Sequence, residues 1–193
     1  MRTRARILWD LDDTLNSLMK GWLSWVRTES AHQSLPEYER LSCNPPHLLC
    51  NLSLPEYLDS LDRFRLSSEA ARMPVVPEVL DWFQSAGHRF EHHVLTARPA
   101  FTVHAAAEWV FRNLGTWIRH FHFVPAHRTG DALPDSGASK LSAIERIGRF
   151  DFFLDDTASH FDGVESLISR CLLVPQPWNA QPRELGEILQ QLG

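Results

Sequence analysis

Apolar residues along the chain fall into short continuous runs that alternate with longer stretches of helical period. Ile7-Leu8-Trp9 stops at Asp10, Val94-Leu95 stops at Thr96, and Phe152-Phe153-Leu154 stops at Asp155. Runs of that length, apolar at every position, mark strands buried on both faces. They predict strands at 6–10, at a segment ending near Leu95, and near 151–154, with two more near 120–124 and 171–174. Between them, Val76, Val79, Leu80 and Phe83 recur at helical spacing, with Pro77 in the favoured first turn and Gly87 at the end. Val103, Ala106, Ala107, Val110 and Leu114 define one face of a second helix; a third begins near residue 140, and a last carries Leu185, Ile188, Leu189 and Leu192. Strands alternating with helices predict an α/β class: a parallel sheet in three layers.

Residues 15–75 break this alternation. They are polar, helical in pattern and punctuated by prolines, most clearly at Pro45-Pro46. The predicted organisation is therefore a core of residues 1–14 and 76–193 with a small helical bundle inserted at 15–75. Leu18, Trp22, Trp25 and Val26 form a broad helical stripe. Such a stripe serves as the bundle's own core, or its tryptophans stack on a ligand ring. A loop rich in Gly, Pro, Ser and Asp spans 129–139, and Lys140 opens the amphipathic stretch that follows.

Ligands of open α/β sheets bind outside the carboxyl ends of the strands. The first run ends there in carboxylates at alternate positions, Asp10 and Asp12, and the third ends in Asp155-Asp156. A carboxylate can attack phosphorus, and a second can protonate the leaving oxygen. Carboxylates this close call for a cation, and Mg²⁺ favours carboxylate and phosphate oxygens. Acidic residues after a strand also cap helices and begin turns, so the first pair alone leaves both readings open.

The order Asp10/Asp12, Thr96, Lys140, Asp155/Asp156 resembles the four motifs of the haloacid dehalogenase-like superfamily, over about residues 6 to 175. Each motif is short; their order carries the resemblance. Asp13 stands where many members have glycine, although Asp-Asp-Thr versions are common too. The resemblance implies a Rossmann-like core with a C1-type cap at 15–75, closing over the site. It implies Asp10 as nucleophile and Asp12 as general acid and base. Thr96, with Ala97 and Arg98, would contact the phosphoryl group, and Lys140 would neutralise charge. Mg²⁺ would be held by Asp10, the Asp12 carbonyl, Asp155 and Asp156, with Asp156 the direct ligand and Asp155 behind it. Relatives that cleave carbon–halogen bonds lack the second aspartate, so Asp12 favours hydrolysis of a small phosphomonoester, with phosphomutase chemistry the lesser option. The stretch Leu172-Leu173-Val174-Pro175-Gln176-Pro177-Trp178-Asn179 and the Leu-Thr-Ala-Arg second motif look like the 5'(3')-deoxyribonucleotidase group, which points to a nucleoside monophosphate. The alternative class is a non-catalytic module that binds a phosphorylated ligand or protein, though such a binder has no need of Asp12.

The chain has 193 residues, with 24 acidic and 19 basic side chains and a formal charge of −5, so it carries no basic footprint for a nucleic-acid duplex. No apolar run reaches the length of a membrane span. The basic start Met1–Arg6 meets only three apolar residues before Asp10, which argues against a secretory leader. Three cysteines, Cys43, Cys50 and Cys171, are sparse and odd in number, as in a cytoplasmic protein with reduced thiols. Cys43, His47 and Cys50 match no common zinc spacing and show no fourth ligand. His120 and His122, at alternate positions of a predicted strand, share one face.

Overall fold

The computed structural model describes residues 4–29, 35–126, 128 and 138–193. Residues 129–137 of the predicted polar loop lie outside that set. Five strands, β1 (Arg6–Trp9), β2 (Glu91–Arg98), β3 (Ile118–Pro125), β4 (Phe150–Asp155) and β5 (Ile168–Leu173), form one sheet in the order β3-β2-β1-β4-β5. All four pairings are parallel. The chain first builds outward from β1 to β2 and β3, then returns to the other side of β1 for β4 and β5. The reversal lies between β1 and β4, which is where such sheets open a crevice at their carboxyl ends.

Alternate residues of the central strand bury into different layers. Ile7 and Trp9 join a cluster with Val94 of β2 and with Val79, Phe83, Val110, Leu114 and Ile188, from α4 (Pro77–Ala86), α5 (Val103–Leu114) and α7 (Leu185–Gln190). Leu8 faces the other way, with Leu95, Ile144, Phe153 and Val164, under α6 (Lys140–Ile147). A strand covered on both faces has no polar face to show, hence its unbroken apolar run. The strand boundaries differ from the sequence expectation mainly at β2, which continues through Thr96, Ala97 and Arg98. Hydrophobicity marks where burial is complete, whereas the ladder to β3 continues to Arg98 and Pro125.

A third apolar cluster belongs to the insertion. Leu18, Met19, Trp22, Leu23 and Val26 of α1 (Leu18–Glu29) pack on Tyr57, Leu61 and Phe64 of α2 (Leu54–Arg65) and on Ala70 of α3 (Ser68–Ala71). Trp22 is fully buried, edge-on to Tyr57, and its Nε1 donates to Ser60 Oγ at 3.1 Å. Trp25 is half-buried against Phe64. Both tryptophans are thus packed into the bundle. No helix among the described residues is long and apolar enough to cross a membrane.

His92 shows the cost of a polar group inside the core. It is buried between Trp9 Nε1, which donates to its Nδ1 at 3.1 Å, and the Gly87 carbonyl, 2.8 Å from Nε2. Burial, only partly offset by the Gly87 carbonyl, lowers its pKa to about 4. A histidine harder to protonate when folded leaves stability intact above its unfolded pKa and erodes it as pH falls toward the folded one. Wild type is therefore expected to lose about 2 kcal/mol through this group between pH 7.5 and pH 5. Urea unfolding of wild type and His92→Gln at the two pH values measures it as a difference of slopes. Equal pH dependence in both proteins contradicts it.

Candidate active site

The loop after β1 is built to expose carboxylates. Asp10 leaves the sheet with its N–H still on the Leu154 carbonyl at 2.8 Å. Asp13 then adopts φ 58°, the left-handed region that Asp tolerates better than most residues. Glycine is the other residue at ease there, which accounts physically for either type at this position. The Asp13 carboxyl group accepts the Met19 N–H at 2.9 Å, at the start of α1. Its carbonyl accepts Gln176 Nε2 at 2.5 Å.

Lys140 arrives from another layer. Ser139 and Ser142 form a reciprocal capping box that starts α6 at Lys140, and Gly148 ends the helix at φ 105°. The buried Lys140 Nζ donates to Asp10 Oδ1 at 2.7 Å and to Asp155 Oδ2 at 2.6 Å. Asp155 is held further by the Thr157 N–H and by His160 Nδ1, both 2.9 Å from Oδ1. Asp156 turns the other way; Trp178 Nε1 donates to its Oδ2 at 3.0 Å, and Asn179 Nδ2 donates to its carbonyl at 2.9 Å.

These groups line a cavity of about 150 Å³ at the carboxyl end of the sheet. Asp10, Asp12, Asp13, Thr96, Ala97, Lys140 and Asp156 form its wall on the sheet side, with Thr157 and His160. The insertion supplies Leu18, Met19, Asn44, Tyr57, Leu61 and Arg65. Asp155 stands behind Lys140 rather than on the wall. Arg98 reaches the site only through Asp12: Nε donates to Oδ2 at 2.9 Å and Nη2 to Oδ1, a two-pronged grip. Arg65, the last residue of α2, adds Nη2 on Asp12 Oδ2 at 3.2 Å. His160, Arg65 and Trp178 are contacts to motif carboxylates that no motif announced, and Asn179 adds one to the Asp156 carbonyl.

The electrostatics sort the carboxylates. Burial, with Asp155, Asp156 and Asp12 nearby, pushes Asp10 well above the usual range despite Lys140. Burial and then Asp155 raise Asp156 to about 6, and burial and Asp156 raise Asp13. Burial also opposes ionisation of Asp12 and Asp155. Arg98 and Arg65 outweigh it for Asp12, and Lys140 with His160 outweighs it for Asp155, so both are lowered. Lys140 is raised, since Asp10 and Asp155 overcome its burial. One ammonium thus faces more buried negative charge than it can offset.

The donor set fits a hard divalent cation. Ligand atoms of Asp10, Asp155 and Asp156 lie within 4.8 Å of one another, all buried and all oxygen. Cys43, His47 and Cys50 do not converge in this way among the described residues.

No family model matches the sequence. No curated protein matches it either. Solved structures do match its shape. A haloacid dehalogenase-like family hydrolase from Streptococcus pneumoniae superposes with TM-score 0.61 at 15% identity, covering 98% of this chain and 91% of its own. The chain has the fold of the haloacid dehalogenase-like hydrolases. A Thermotoga maritima structure solved as a candidate β-phosphoglucomutase gives TM-score 0.55 at 16% identity over 97% of this chain and 98% of its own. A subfamily IA hydrolase of the same superfamily from Geobacter sulfurreducens gives 0.55 at 13% over 98% and 97%. Within this fold the four segments that carry Asp10, Thr96, Lys140 and Asp155-Asp156 all meet at one cavity.

Proposed function

We propose that the protein is a Mg²⁺-dependent phosphatase that cleaves a small phosphomonoester through an aspartyl-phosphate on Asp10. The observation that carries this reading is Lys140, buried and bridging Asp10 to Asp155 beside Asp156 at the sheet's switch point. Asp10, Asp156 and the Asp12 carbonyl would hold the ion, with Asp155 oriented behind them; when bound it offsets the buried negative charge and polarises the phosphoryl oxygens. An Asp10 oxygen attacks phosphorus, the bond to the ester oxygen breaks, and that oxygen takes its proton from Asp12. Water then attacks phosphorus, gives a proton to Asp12, and releases Asp10 and phosphate. Thr96, whose neighbour Ala97 also lines the cavity, donates to the phosphoryl group, and Lys140 offsets its charge.

Helices α1 and α2 act as a cap in this reading, because Leu18, Met19, Tyr57, Leu61 and Arg65 stand over the cavity opposite the aspartates. The space of about 150 Å³ holds a phosphoryl group with a small alcohol. It is well below the roughly 300 Å³ at which drug-sized ligand pockets begin. A nucleoside monophosphate is larger than this space, and Arg65 is the cap residue that joins Asp12 across it.

The test is turnover of an aryl phosphate with and without metal. Activity is expected to vanish with a chelator and return with Mg²⁺. Persistent activity after metal removal contradicts the metal role, and no activity under any condition favours a phosphoryl-binding module.

Arg98 and Arg65 hold Asp12 as a carboxylate, so it has to take up a proton before it serves as the acid. Loosening the grip raises its pKa, so Arg65→Gln is expected to move the alkaline limb of the kcat/KM profile to higher pH. An unshifted limb removes Asp12 as the acid of the free enzyme.

A further inference from the structure

At the opposite, amino end of the sheet, ionisable side chains from three strands converge on one face. Arg6 of β1 pairs with Glu91 of β2, and His93 of β2 pairs with His120 of β3. His122, two residues on, lies on the same face. The His93 ring stacks on His120 at 4.1 Å between centroids and lies parallel to His122 at 5.4 Å. His93 Nδ1 is 3.1 Å from His122 Nε2, while His93 Nε2 is 2.7 Å from Glu91 Oε1. His120 Nε2 lies 3.9 Å from the same oxygen. Ligand atoms of Glu91, His93 and His120 all fall within 4.8 Å of one another. Among the described residues, only this group and the Asp10 cluster bring three such atoms together.

His93 Nε2 meets two partners of opposite kind. The atom faces an acceptor, Glu91 Oε1, and at 3.2 Å a donor, Arg6 Nη2. One nitrogen of a neutral imidazole serves one or the other. If Nδ1–H donates to His122 Nε2, the Nε2 lone pair points at the carboxylate oxygen, and a metal ion satisfies both. A second-layer hydrogen bond of this kind is how protein sites fix the tautomer of a ligating histidine.

We propose that Glu91, His93 and His120 bind a divalent transition-metal ion, zinc foremost, with His122 orienting His93. Two imidazoles and one carboxylate suit zinc, whereas Mg²⁺ prefers the all-oxygen cluster around Asp10. Water completes the coordination. The side chains of Glu91 and His120 are 43% and 48% exposed, so an ion has a path in, beside the edge strand. Arg6 competes for Glu91 through Nε at 3.3 Å, but Nη1 on the Arg149 carbonyl at 2.6 Å and the stack on Phe150 hold it when that contact is given up. His93 and Thr96 are three residues apart on one strand, roughly 10 Å, so the two sites are separate. Bound zinc ties β2 to β3 and stabilises the fold by mass action.

Titration of the full chain with Zn²⁺ in excess Mg²⁺, followed by calorimetry and by thermal melting, tests this. One zinc ion is expected to bind and raise the melting temperature. Glu91→Gln and His120→Ala, at half-exposed positions, should each weaken binding by at least about tenfold, and His122→Phe by about 10- to 100-fold. Asp156→Asn should leave zinc binding unchanged. Absence of zinc binding overturns the proposal, as does binding that survives Glu91→Gln and His120→Ala or that disappears in Asp156→Asn.

Discussion

Asp10→Asn is expected to lower turnover of an aryl phosphate by at least about 10³-fold. Asn keeps the shape and can still accept from Lys140 Nζ, now 2.7 Å from Asp10 Oδ1, but it does not attack phosphorus. The same substitution should not destabilise the fold. Burial and three neighbouring aspartates work against charge on Asp10, with Lys140 alone in its favour. A neutral amide removes that conflict, so the variant should unfold at the same or higher urea concentration than wild type when both lack Mg²⁺. Substantial residual turnover in a clean preparation contradicts the nucleophile. Loss of turnover accompanied by unfolding contradicts the electrostatic account.

Lys140→Met is expected to damage both activity and stability. The ammonium is buried between Asp10 and Asp155, and removing one member of such a set leaves uncompensated charge, at a cost of about 3–5 kcal/mol. Turnover should fall by at least about 10²-fold, the scale for losing a preorganised group that meets developing charge. Adding Asp10→Asn to Lys140→Met removes one of the stranded carboxylates and should restore part of the stability. A double-mutant cycle in urea reads this coupling. Additive losses would mean that Lys140 and Asp10 do not form the pair described here.

The elements that place the site were legible where burial is complete on both faces. β1 and β4 show as unbroken apolar runs ending at Asp10 and Asp155, and the helix beginning at Lys140 was marked by its amphipathic period. The end of β2 was not legible, because Thr96, Ala97 and Arg98 continue the ladder with polar chemistry. Arg98 was expected at the phosphoryl group; the structure turns it onto Asp12, an orientation that residue type and spacing do not determine. His160 carries no sequence signal, and Arg65 is one basic residue among several in the insertion that could face an anionic group; they meet the site through a local turn onto Asp155 and through tertiary packing across 53 residues. The segment containing Trp178 and Asn179 stood out in the sequence, but its hydrogen bonds to Asp156 came from the fold. His120 and His122 were placed on one face by strand alternation, whereas Glu91 and His93 became their neighbours only through the β2–β3 register.

Covalent chemistry at Asp10 is most directly tested by intact-mass analysis of Asp12→Ala incubated with Mg²⁺ and an activated aryl phosphate. Such a leaving group needs little protonation, so the first step proceeds while hydrolysis of the intermediate is slowed. The account predicts the mass of one added phosphoryl group, mapped to Asp10 and absent when Asp10→Asn is introduced into the same protein. A phosphoryl group on another residue, or no adduct together with wild-type steady-state rates, would contradict it.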